Sequence, residues 1–155
     1  MIFTTREDVE APIGAVFAML CEFESFERSA MRRGAEVQRL DALSAPGVGM
    51  PWAAAFDLRG RRRRIELELT TFDPPGEMVF ESTSPGMIGQ MRFELIALSR
   101  SRTRVLVQLE VKPLNLAARL MVQSMKIAKA SMTKRYKQRV AEYARGMEER
   151  YARSV

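Results

Sequence analysis

The groups able to do chemistry in this chain are bounded first by what is missing: among 155 residues there is no histidine and a single cysteine, Cys21. Without histidine there is no Ser-His-Asp or Cys-His relay and no imidazole proton shuttle near neutral pH. With one cysteine besides, the usual zinc and Rieske-type iron ligand sets are excluded, so no metal is expected and no cofactor is required. Carboxylates, tyrosines, lysines, arginines and small hydroxyls remain. Glu66 and Glu68 stand one strand repeat apart, a spacing at which two carboxylates share a face and can divide acid and base roles. Ile65, Leu67 and Leu69 alternate with them, which turns both carboxylates to water and gives them a surface role; Asp57 and Glu94 read the same way. Tyr136 and Tyr143 are candidate hydroxyl donors on an amphipathic helix, where packing explains them equally well. The run Arg61-Arg62-Arg63-Arg64, following Arg59-Gly60, gathers cations at one hairpin tip that can touch phosphate groups. No aromatic residue interleaves with them to stack bases, so sequence-specific reading of nucleic acid is not expected. The tip is read as solvated, with an anionic membrane surface as its weaker alternative.

The residues best suited to hold a ligand are apolar. Trp52, Phe56, Phe80, Met91 and Phe93 fall on the inward faces of predicted strands, and Met121, Met125 and Met132 on the inward stripe of a predicted helix. Large apolar side chains on a concave sheet can line a site for a flexible apolar molecule, and the 11 methionines supply a soft, adaptable surface. Packing of an ordinary core accounts for each of these residues equally well.

The elements that must position them are legible from periodicity. Residues 2–10 read as a strand, broken at Ala11-Pro12; residues 13–21 and 25–32 read as two short helices, the second stopped by Gly34. Strands and turns follow. Val37 and Leu43 mark the inner side of residues 36–43, and Trp52, Ala54, Phe56 and Leu58 that of residues 50–58. A tight turn at Arg59-Gly60-Arg61 leads into Ile65, Leu67 and Leu69. Asp73-Pro74-Pro75-Gly76, Ser84-Pro85-Gly86 and residues 99–102 then separate three more alternating runs. Strands joined by such short turns make an antiparallel meander with one buried and one wet face. The last third reads as one long helix over residues 115–145, with Leu114, Ala117, Ala118, Met121, Met125, Ala128, Met132 and Tyr136 on its inner stripe. The stripe then drifts to Val140, Tyr143 and Met147. At 1.5 Å per residue that helix runs roughly 45 Å, longer than a compact chain of this size, about 40 Å across. Its end must overhang, break near Gly146 or pack on another subunit.

A hydrophobic fraction of 46% and a charged fraction of 28% suit a globular chain, expected to form one domain over residues 1–155. No run approaches the ~20 apolar residues of a membrane span, and acidic Glu7, Asp8 and Glu10 precede the apolar residues 13–21 where a leader wants positive charge. A cytoplasmic protein is expected, with Cys21 as a buried small hydrophobe. The net charge is +6, from arginines and lysines spread over every element, which implies a generally basic surface.

The order of strand, two short helices, meander and long C-terminal helix resembles the START-like or SRPBCC superfamily with its helix-grip fold. Val9-Glu10-Ala11-Pro12-Ile13-Gly14-Ala15-Val16-Phe17, Gly47-Val48-Gly49-Met50-Pro51-Trp52 and Thr71-Phe72-Asp73-Pro74-Pro75-Gly76 resemble its polyketide cyclase/dehydrase-like branch. The resemblance implies an α+β fold: a curved antiparallel sheet of about seven strands around the C-terminal helix. It also implies an apolar cavity between sheet and helix that binds a small hydrophobic molecule. It carries over no catalytic residue, since the branch shares no single motif. Two other readings stand beside ligand binding: a cyclase or dehydratase on the same scaffold, and an interaction module using the C-terminal helix and the basic surface. A homo-oligomer through that helix belongs to the last, with Leu120 and Ile127 lying off the inner stripe.

Overall fold

The structure, a computed structural model, describes residues 1–41, 45–58 and 60–155. Leu43 and Arg59, to which the sequence assigns an inward position and a turn, lie outside the described residues. Strand β1 (Ile2–Val9) gives way at Pro12, whose extended backbone (φ −61°, ψ 148°) opens helix α1 (Ile13–Leu20). Helix α2 (Phe23–Arg32) follows at once and ends where Gly34 takes φ +92°, a conformation costly for any residue with a Cβ. Strands β2 (Glu36–Arg39), β3 (Pro51–Leu58), β4 (Arg61–Asp73), β5 (Glu77–Ser84), β6 (Met87–Ser99) and β7 (Arg102–Pro113) form the meander, and α3 (Leu116–Ile127) and α4 (Lys129–Ser154) complete the described chain.

The seven strands form one antiparallel sheet in the order β1-β7-β6-β5-β4-β3-β2. Only β1 is out of sequence, joining the last strand and leaving β2 as the far edge. Register sets the inner face. Phe3 pairs with Leu109, Leu109 with Met91, Met91 with Phe80 and Phe80 with Leu69, so one apolar row crosses five strands. The next inner row runs from Trp52 through Leu67, Ser82 and Gly89 to Val111. Leu69, Phe80, Met91 and Leu109 in the first row and Trp52, Leu67 and Val111 in the second hold the inward positions read from the sequence, because side chains two apart on a strand share a face.

One buried cluster runs beneath the sheet and reaches Trp52, Leu69 and Met78 as well as the β1 side. Val9, Val16, Phe17, Leu20, Leu95, Val105, Ala144 and Met147 are buried in it, uniting α1, the end of α4 and strands β6, β7 and β1. The Phe17 and Phe72 rings stand 5.6 Å apart. Helix α4 lies along β1: Tyr136 and Phe3 are 5.8 Å apart between ring centroids, and the Glu148 carboxylate accepts from the Glu10 N–H at 2.8 Å. At 0% exposure, Thr103 donates its hydroxyl to the Ala11 carbonyl at 2.8 Å, tying the start of α1 to β7.

The C-terminal helix departs from its expected form. It breaks at Ala128 (φ −97°, ψ 12°) instead of near Gly146, and α4 runs through Gly146 to Ser154. No proline or glycine marks the break. The last turn of α3 tightens locally, with the Ala128 N–H donating to the Met125 carbonyl at 3.0 Å. The cause is tertiary: α3 packs on β7 and α4 on β1, two directions that one straight helix cannot serve. Buried Ala144 and Met147 on either side of Gly146 outweigh the ~1 kcal/mol that glycine costs inside a helix. The inner stripe shifts accordingly. Ala118 and Val122 are the buried residues of α3, whereas Leu114, Ala117 and Ala128 are exposed.

The start of α3 is clasped to the β5–β6 turn. The Leu114 N–H donates to the Gly86 carbonyl at 2.7 Å, and the Asn115 side chain caps α3 by accepting from the Ala118 N–H at 2.8 Å. Gly86 has φ +81°, and a Cβ there would come within 2.5 Å of the Asn115 amide nitrogen. Gly86→Ala is therefore expected to cost about 2–3 kcal/mol, the sum of left-handed strain and a disturbed cap. Gly34→Ala, where nothing lies within 4 Å of the new carbon, should cost only the strain. Urea denaturation of both variants measures the difference.

Candidate functional site: an apolar cleft under the second helix

Phe23, Phe26, Glu27 and Ala30 recur along α2 at helical spacing and face the sheet. Between them and the inner face of β3–β6 lies a cleft of about 510 Å³, within the usual range of small-molecule sites. Its sheet wall is aromatic. Phe23 meets Trp52 at 5.5 Å and Phe80 at 5.7 Å, both edge-on; Trp52 and Phe80 are 5.8 Å apart, and Phe80 and Phe93 6.2 Å. A second hollow of about 400 Å³ adjoins it, sharing Leu20, Phe26, Met91 and Phe93 and bordered by Tyr136, Val140 and Tyr143 of α4. The two differ in their helical walls: α2 covers the first, α2 and α4 together the second.

Of the residues selected from sequence, Trp52, Phe56, Phe80, Met91 and Phe93 come together on the wall of the larger cleft. Met121, Met125 and Met132 stand apart. They are half-buried on α3 and the first turn of α4 and line neither hollow, because the break at Ala128 lets α3 follow β7. The larger cleft thus takes its helical wall from α2, where the sequence reading places the C-terminal helix.

Three polar residues, Glu27, Ser82 and Gln90, border the apolar wall. The Trp52 indole N–H donates to the Glu27 carboxylate at 2.8 Å, and both residues line the cleft. Ser82 lines it too, opposite Gly89, where a Cβ would stand 2.5 Å from the Ser82 hydroxyl oxygen; glycine there leaves room for that hydroxyl. The sequence reading does not select Glu27. Its signal is a carboxylate set within the apolar spacing Phe23, Phe26, Ala30, visible only once the helix is started at Phe23 rather than Ser25. Glu66, Glu68 and Asp57 are exposed, and Asp57 pairs with Arg62 at 3.3 Å. Arg62 also reaches Glu36 at 3.1 Å, while Arg63 is half-buried opposite Phe56 on the inner side.

Tyr136 donates its hydroxyl to the Val107 carbonyl at 2.9 Å. Burial pushes its pKa up to about 12. Burial, with the Glu22 charge as a smaller cause, also raises Tyr143 to about 12, and burial raises the Cys21 thiol to about 11. In the unfolded chain these groups ionise near their usual 10.0 and 9.0. Above that, the folded state holds protons that the unfolded state has lost, so the contribution of these three groups to stability is complete below about pH 9 and falls as pH rises through 9–12. Melting curves across this range should show a falling Tm, with a shallower fall for Tyr136→Phe.

Comparison by sequence gives no match, either to a family model or to a curated protein. Comparison by structure gives many. The Zhui aromatase/cyclase from Streptomyces sp. R1128 aligns with a TM-score of 0.65 at 14% identity over 98% of this chain and 95% of that one. The protein TTHA0849 from Thermus thermophilus aligns at 0.67 and 14% over 99% of both chains. A START superfamily protein from Mycobacterium smegmatis aligns at 0.55 and 11% over 88% of this chain and 97% of that one. The chain shares the helix-grip fold of these structures, a curved antiparallel sheet with a long C-terminal helical segment. No helix among the described residues is long and apolar enough to cross a membrane.

Proposed function

We propose that the chain binds a small hydrophobic molecule in the cleft between α2 and the inner sheet face. The observation that carries this reading is the cleft itself: about 510 Å³ of space walled by Trp52, Phe56, Phe80, Met91 and Phe93, with few polar groups. An apolar, aromatic-walled cleft of this size with a few placed polar groups suits a small hydrophobic molecule. Ligand binding at the level of the fold family agrees with it. Trp52 is the chain's one tryptophan, so its emission reports on the cleft wall directly. Titration with apolar ligands should change that emission and release heat with about micromolar affinity; a panel of such ligands giving neither heat nor a thermal shift sinks the reading. The setting is taken as the cytoplasm, whose reducing conditions suit an unpaired Cys21.

A second reading, an enzyme of the cyclase or dehydratase type, is favoured by Glu27. A carboxylate held beside an aromatic wall can accept a proton from a carbon next to a carbonyl in a polyketide-like substrate. Turnover of such a substrate that Glu27→Gln removes, with binding retained, supports this reading; binding without turnover supports the carrier.

A further inference from the structure

Helix α3 is amphipathic on the side away from the protein. Leu116, Leu120 and Ile127 are 71%, 62% and 89% exposed, and their spacing of four and seven residues places them on one line. That line lies opposite buried Ala118 and Val122 and is bordered along one side by Arg119 and Lys126, with exposed Leu114 just before it. The charge around it is one-sided. Residues 111–141 carry eight lysines and arginines, from Lys112 to Arg139, and no carboxylate. Since the whole chain is only +6, this segment accounts for the entire positive surplus, and the rest is weakly acidic. The basic charge is thus concentrated, where composition suggests an even spread. Among the described residues, none of the cations from Arg119 to Arg139 is paired with a carboxylate.

We propose that α3 docks on an anionic lipid bilayer, its Leu116, Leu120 and Ile127 line sunk among the acyl chains and Arg119 and Lys126, with Lys129 just beyond the helix, on the headgroup phosphates. An apolar line bordered by cations on an otherwise exposed helix has the form of an interfacial helix, held by apolar burial and by attraction to acidic lipid together. A second copy fits less well, because a two-fold contact would set the same cations against each other. Nucleic acid would satisfy the cations and leave the leucines and isoleucine in water. The β3–β4 and β5–β6 hairpins turn at the end of the sheet from which α3 departs, so exposed Arg61 and Arg64 add charge there. The proposal is independent of whether the cleft holds a ligand.

The test is flotation of the whole protein with phosphatidylcholine vesicles, with and without about 30% phosphatidylglycerol, in about 0.1 M salt. The protein should float with the anionic vesicles alone. Leu120→Asp combined with Ile127→Asp should lower the partition at least about tenfold with an unchanged Tm, both positions being exposed. Lys126→Glu combined with Lys129→Glu should weaken it similarly, and about 0.5 M salt should weaken the wild type, as screening shortens the reach of the charges. No flotation, equal flotation with neutral vesicles, or full flotation of the double Asp variant overturns the proposal. So does a wild-type dimer that ignores vesicles and becomes a monomer in that variant, which would assign the face to a second copy.

Discussion

Phe93→Asp is expected to abolish binding of a neutral apolar dye such as Nile red, lowering affinity at least about a hundredfold. Phe93 lines both hollows and meets Phe80 at 6.2 Å, so a charge there stands on the apolar surface that a ligand must cover. Desolvating an unpaired carboxylate costs several kcal/mol, more than the ~2.7 kcal/mol that a hundredfold change requires. The variant should still fold. Phe93 is only half-buried, so its stability should fall by about 2–4 kcal/mol, near 5–15 °C in Tm. Phe93→Leu keeps an apolar wall and should hold affinity within about fivefold. Dye titration beside thermal melts separates lost binding from lost structure, and Phe56→Asp at the cleft margin gives a second reading if the first variant is too unstable. Undiminished dye binding in both Asp variants would place the apolar site elsewhere.

Glu27→Gln is expected to raise the affinity for dodecanoate relative to dodecanol by about tenfold. A carboxylate in the cleft repels an anionic ligand and is indifferent to the charge of a neutral one. At an effective dielectric of about 20 this repulsion amounts to a few kcal/mol at contact, and about 1.4 kcal/mol over longer separations corresponds to the tenfold change. Glutamine keeps an acceptor for the Trp52 indole, which donates to Glu27 at 2.8 Å, so the wall should stay in place. Glu27→Leu is the contrasting variant. It leaves the indole N–H without its acceptor, which should cost about 1–3 kcal/mol and shift Trp52 emission. Calorimetry with the matched acid and alcohol reads the first effect, and emission spectra with melting curves read the second. An acid-to-alcohol ratio unmoved by Glu27→Gln would mean that ligand and carboxylate do not share the cleft.

Most strands of the sheet could be read from sequence because their determinants are local, while the register shifts at Leu69/Thr71 and Ala97/Ser99 could not. Alternation at Ile65, Leu67, Leu69 and at Val105, Val107, Leu109 settles which side faces in, and the breakers Asp73-Pro74-Pro75-Gly76 and Ser84-Pro85-Gly86 settle where the chain reverses. The same alternation brings Trp52, Phe56, Phe80, Met91 and Phe93 onto one wall, since residues sharing a face across paired strands become neighbours. The helices are less legible. The 26 residues of α4 carry a stripe that the core recognises, but no local signal marks the break at Ala128. That break follows from which strand each half packs upon.

Composition and periodicity alone determined that this chain has no histidine chemistry, a meander with one apolar face and a helical C-terminal third, because residue type and spacing are properties of the chain itself. Only the tertiary structure decided that α2 roofs the larger cleft, that Glu27 enters it beside Trp52, and that Val122 is buried on α3 while Leu114 before it is exposed. Each depends on the angle at which a helix crosses the sheet. That angle comes from contacts between residues far apart in the chain, such as Phe23 with Phe80 and Tyr136 with Val107.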